Sequence, residues 1–61
     1  IPNFKVGDFI RSKDDLIVSE VMVVNEDNYV LKQTKDNVTT RKTVSIIETD
    51  KSYKRAYEKY N

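Results

Sequence analysis

The stretch "FKVGDFIRSKDDLIVSEVMVV", residues 4–24, decides the reading of this chain. It contains the only glycine, Gly7, and joins two apolar-rich runs across Lys13-Asp14-Asp15. Val6-Gly7-Asp8 reads as a turn, because glycine tolerates positive φ and an aspartate side chain bonds nearby backbone. Phe9 to Lys13 follows as a short strand with Phe9 and Ile10 on opposite faces. Lys13-Asp14-Asp15 has the length and polarity of a hairpin break. Leu16 to Val24 is rich in β-branched residues and reads as the strongest strand. One face carries Ile17, Ser19, Val21 and Val23; the other carries Leu16, Val18, Glu20, Met22 and Val24. A strand apolar on both faces predicts a bend that packs its two halves differently.

Outward from this stretch, Asn25 to Asn28 forms a turn by composition, and Tyr29 to Thr34 returns as a strand. Thr34 to Arg41 reads as a polar loop centred on Asp36-Asn37, and Lys42 to Glu48 as the fourth strand. The period then changes. Tyr53, Ala56, Tyr57 and Tyr60 recur at i, i+3, i+4 and i+7, one face of a helix, with Thr49 or Asp50 as its N-cap. A helix is therefore expected from about 50 to 60, docked through its tyrosines, since so short a helix is marginal alone. The expected core is Phe9, Ile10, Val18, Val21, Val23, Leu31, Val44 and Ile46.

Sixty-one residues make one domain, spanning 1–61. There is no cysteine and no histidine, so no disulfide or thiolate site staples the fold and the commonest general base is missing. Short strands joined by tight turns make antiparallel meanders, and curling protects their edges. The expected fold is thus mainly β: a small antiparallel barrel of four to five strands with a short C-terminal helix. "FKVGDFI", "LIVSEVMVV", "NEDNYVLK" and "TVSIIETDKSY" resemble SH3-like barrels, among them Tudor-like and KOW-like modules. The closing "DKSY" is similar to the ends of small SH3-like proteins of low-GC bacteria and their phages. So small a chain suits an accessory protein of a phage or other mobile element, or a domain cut from a larger chain. The first hairpin, Ser12 to Asp15, lacks the glycine or aromatic that such modules use for docking, so no binding residue follows from it.

Asp14-Asp15 and Glu26-Asp27 are adjacent carboxylates, best read as solvated turn residues. Serines lack an activating base, and no Ser-x-x-Lys occurs. No catalytic residue, metal site or cofactor is expected, and the chain is not read as an enzyme. The tyrosine stripe has three readings: cover for the open barrel end, a protein-binding patch, or a base-stacking platform. The expected function is a non-catalytic interaction module that binds an unidentified protein through Tyr57 and Tyr60. The alternative is nucleic-acid binding through Arg41, Lys42, Lys51, Lys54, Arg55 and Lys59, a basic face near the helix. A formal net charge of +1 weighs against general attraction to polyanions, so that face has to be local. No apolar run approaches the length that spans a bilayer, so no membrane partner is expected. The lack of cysteine suits a cytoplasmic location. The start at Ile1 suits a piece of a longer chain.

Overall fold

The computed structural model describes residues 1–56. Its strands are β1 (Phe9–Ser12), β2 (Val18–Val24), β3 (Asn28–Lys35), β4 (Val38–Ser45) and β5 (Tyr53–Arg55), and α1 (Ile46–Ser52) lies between the last two. All five strands join one antiparallel sheet in the order β4-β3-β2-β1-β5. The mainly β architecture with one short helix is therefore as expected from the sequence. The ladder does not close, because β4 and β5 remain its two edges.

The sheet must nevertheless curl. Four flat strand spacings would put the edges about 19 Å apart. The eight helical steps from Ser45 to Tyr53 span only roughly 12 Å. Helix α1 packs against β3, β4 and β5 and draws the edges together. Phe4, Ile10, Val21, Tyr29, Leu31 and Ile46 are buried on the inner face, with Val24, Val44 and Tyr53 packed against them.

Each turn has a local cause. Gly7 sits at φ +94°, and the Asp8 amide donates to the Lys5 carbonyl at 3.0 Å across it. Gly7 and Val21 then tie this turn to β2, through N–H bonds of 2.9 Å to the carbonyls of Val21 and Asp8 respectively. Asp36 and Asn37 both have positive φ, so β3 and β4 meet at a two-residue turn. That turn matches the right-handed twist of its strands. The expected polar loop over 34–41 is accordingly mostly strand. Thr39 and Thr40 are polar but β-branched, and the ladder uses that stiffness.

Three further expectations are corrected. The fourth strand ends at Ser45, not Glu48, because Ser45 caps α1: its Oγ accepts from the Glu48 amide at 3.4 Å. Ser45-Ile46-Ile47-Glu48 has the spacing of a capping box. The helix is Ile46–Ser52 rather than 50–60, and Tyr53–Arg55 extends as β5. β1 offers a free edge, and Ser12, Arg11 and Ile10 pair with Tyr53, Lys54 and Arg55. Satisfying that edge outweighs a marginal helix. Tyr53 does dock against the core, as expected; Tyr57 and Tyr60 lie outside the described residues.

The third correction concerns the core. Ile10, Val21, Leu31 and Ile46 are buried as expected and Val44 is half-buried, but Phe9 and Val18 keep 38% exposure and Val23 42%. Phe9 and Ile10 alternate, and a sheet covered on one face can bury only one of them. Val23 is turned outward by a bulge. Val21 pairs with Leu31, but Val23 pairs with Val30 and Val24 with Tyr29. The extra residue, Met22, shifts the period so that Val21 and Val24 face inward. Val21→Ala should therefore cost about 1–3 kcal/mol. Val23→Ala should stay within about 0.5 kcal/mol. Equal shifts of the two urea midpoints would contradict this register.

Candidate functional site

Strand register assigns every strand residue to a face. Directly paired residues share a face, and residues two apart on one strand share it as well, except across the bulge between Val21 and Val23. Phe9 pairs with Glu20, Glu20 with Lys32, and Lys32 with Arg41, giving one row across four strands. The neighbouring row holds Lys54, Arg11 and Val18, with Thr34 paired to Thr39. Both rows lie on the outer face, opposite the core. Phe9, Val18, Glu20, Lys32 and Thr34 line an open groove of about 260 Å³ on it.

The charges are unevenly distributed. Among the described residues, the five strands carry seven cations: Arg11, Lys32, Lys35, Arg41, Lys42, Lys54 and Arg55. They carry one acid, Glu20. Asp14, Asp15, Glu26, Asp27 and Asp36 sit in the connections, while Glu48 and Asp50 sit on α1. Acids favour turns and caps because their short side chains bond local backbone. Asp8 and Asp15 do so here, accepting from the amides of Lys5 at 2.9 Å and Ile17 at 2.9 Å. The sheet thereby becomes basic although the chain is nearly neutral.

The expected basic residues do not assemble as one patch. Arg41 and Lys54 share the outer face at its opposite edges. Lys42 is on the other side of β4, paired with Leu31, and Lys51 is exposed in the last turn of α1. Arg55 lies on the inner side, opposite Ile10. It clamps the N-terminal segment: its guanidinium donates to the Asn3 carbonyl at 2.9 Å, lies 5.6 Å from the Phe4 ring centroid, and has Nε 3.6 Å from Asp8. Lys59, like Tyr57 and Tyr60, lies outside the described residues.

Phe9, Arg11, Glu20, Lys32 and Thr34 are not among the residues expected from the sequence to share a surface. Their signal is alternation: Phe9 and Arg11 share a face in "FIRS", as do Lys32 and Thr34 in "LKQT". The sequence puts Phe9 in the expected core because nothing in "FIRS" says which face is covered.

A second polar cluster is structural. Tyr29 is fully buried; its hydroxyl donates to Asp50 at 2.7 Å and accepts from the Phe4 amide at 3.2 Å. The Asn3 amide donates to the other Asp50 oxygen at 3.2 Å. Burial first, and the Asp50 bond second, push the Tyr29 hydroxyl up to about 12. Among the described residues, no group of three or more acidic, histidine or cysteine side chains is placed to hold a metal ion. No helix among them is long and apolar enough to cross a membrane. No family model, curated protein or solved structure matches the chain.

Proposed function

We propose that the protein is a non-catalytic nucleic-acid-binding module that receives a single strand on its outer sheet face. The observation that carries this reading is the segregation of charge on the described strands, which places four cations, Arg11, Lys32, Arg41 and Lys54, on the outer face against one acid, Glu20. Lys32 and Arg41 follow one another along one row, with Lys54 and Arg11 in the next, so a phosphate backbone crossing the strands meets cations repeatedly. Exposed Phe9 supplies an aromatic surface among them. Cations that track a backbone, with aromatics on which bases stack, are the usual means of binding single strands. The ladder order, with a helix before the last strand, supports an SH3-like barrel as the scaffold.

Titration of a labelled single-stranded oligonucleotide at several salt concentrations tests this. Affinity should fall steeply with salt, because each phosphate contact releases counterions. Lys32→Ala and Arg41→Ala should each weaken binding and lower the logarithmic salt slope by about 0.7. Phe9→Ala should cost about 1–3 kcal/mol in binding if a base stacks on it. Absence of binding even at low salt would overturn the reading. Tyr57 and Tyr60 would then be the residues to test against a protein partner.

A further inference from the structure

The two edges of the sheet differ. β5 is three residues long, whereas β4 runs for eight without a bulge or a proline, and only Val44 along it is even half-buried. Lys35 and Val38 close the two-residue turn as a hydrogen-bonded pair, and such pairs alternate along an antiparallel ladder. Val38, Thr40, Lys42 and Val44 therefore bond to β3, while Thr39, Arg41 and Thr43 turn both their amides and their carbonyls outward. Among the described residues, no strand pairs with β4 on that side and no backbone group bonds to these amides and carbonyls.

The same hairpin is basic. Lys32, Lys35, Arg41 and Lys42 lie on β3 and β4, and neither strand carries an acid. We infer that the β4 edge takes an extended acidic segment of a partner protein as a sixth strand of the sheet. The edge offers donors and acceptors in alternation at strand spacing, and another strand satisfies both. Phosphate oxygens only accept, so a nucleic-acid backbone laid there would leave the carbonyls unpaired. A second copy of this chain fits poorly. Twofold antiparallel pairing through Thr39, Arg41 and Thr43 overlaps most when centred on Arg41 or on Lys42, which sets that cation directly against its own copy. Like charges directly opposite one another destabilise a sheet. The same two side chains favour an acidic strand. They project to opposite sides of the sheet, so two consecutive acids in the added strand each meet a cation.

The competing explanation is that Arg41 and Lys42 only guard this edge against pairing. Amide hydrogen exchange on the intact chain separates the two. The probe is a capped peptide of valine and threonine with two consecutive glutamates at its centre. One control carries lysines in their place; the other is N-methylated on two consecutive amides, which blocks both of its edges. With the glutamate peptide at about ten times its Kd, exchange at Thr39, Arg41 and Thr43 should slow about tenfold, because only the free fraction exchanges. Neither control should protect these amides. Thr43→Pro deletes an outward amide that β3 does not use, so circular dichroism should stay unchanged. Its binding of the glutamate peptide should weaken by about fivefold, the worth of one hydrogen bond. Equal protection by either control, undiminished binding by Thr43→Pro, or no protection by the glutamate peptide overturns the inference. Protection that grows with protein concentration alone identifies a second copy as the occupant and overturns it as well. The N-methylated control leaves the protein untouched, so a folding defect in Thr43→Pro cannot obscure the result. No oligonucleotide enters these measurements, so they stand whether or not the outer face binds one.

Discussion

Tyr29→Ala is expected to abolish the folded state at room temperature. Tyr29 has no exposed surface, and its ring packs 5.9 Å from that of Phe4. Truncating a buried aromatic costs about 3–5 kcal/mol. Two further losses add to that. The Phe4 amide loses its acceptor, and Asp50 loses the hydroxyl that donates to it. Against this stands a total stability of roughly 3–9 kcal/mol for a chain of this length, at about 0.05–0.15 kcal/mol per residue. The N-terminal segment, β3 and α1 all meet at this side chain, so its loss loosens all three. Circular dichroism and urea unfolding provide the measurement. A cooperative transition weakened by less than about 1 kcal/mol would show that the cluster is peripheral.

Alkaline pH should erase an advantage that this hydroxyl gives the folded chain. Tyr29 holds its proton up to about 12, against 10.0 for an ordinary tyrosine. Between those values the unfolded chain has released this proton and the folded chain still binds it. The unfolded state then carries fewer protons, so stability falls as pH rises. The contribution is complete below pH 10 and is lost as pH passes through about 12. Tyr29→Phe keeps the ring and removes the titration. At neutral pH it should cost about 1–3 kcal/mol for the buried groups left unpaired. The stability difference between wild type and Tyr29→Phe should then shift against wild type by up to about 2–3 kcal/mol over that window, at about 1.4 kcal/mol per pH unit. The two proteins differ at this one hydroxyl, so the comparison isolates it. A difference that stays constant from pH 9 to 12 would contradict the hydrogen-bonded, buried hydroxyl.

The two predictions concern a residue that periodicity alone does not single out. In "NYVLK", Tyr29 is one apolar position of a half-buried strand, whereas the tyrosines at helical spacing stand near the C-terminus. Tyr29 becomes central because Asn3, Phe4 and Asp50, remote in sequence, converge on it. The same holds for the proposed interface. A net charge of +1 is a sum over the chain and has no geometry. Only strand register shows that the cations line the sheet while most acids occupy its connections.

What the sequence determined by itself is what short-range physics controls. Glycine and aspartate placed the turn before β1, and β-branched runs placed the strands. Asp36-Asn37 marked a reversal because both residues tolerate positive φ, and the Ser45 to Glu48 capping box was present to be read. Ile10, Val21, Leu31 and Ile46 were legible as apolar core candidates, though not which of two adjacent apolar residues turns inward. The tertiary structure alone decided the rest. Whether Phe9 or Ile10 faces inward depends on which face α1 and the N-terminal segment cover. Whether Val23 or Val24 turns inward depends on a bulge whose partner lies on β3. Whether Tyr53–Arg55 continues a helix or extends depends on the edge of β1, over 40 residues earlier. These outcomes differ by pairings between distant segments, and the free energy of such a pairing resides in neither segment alone.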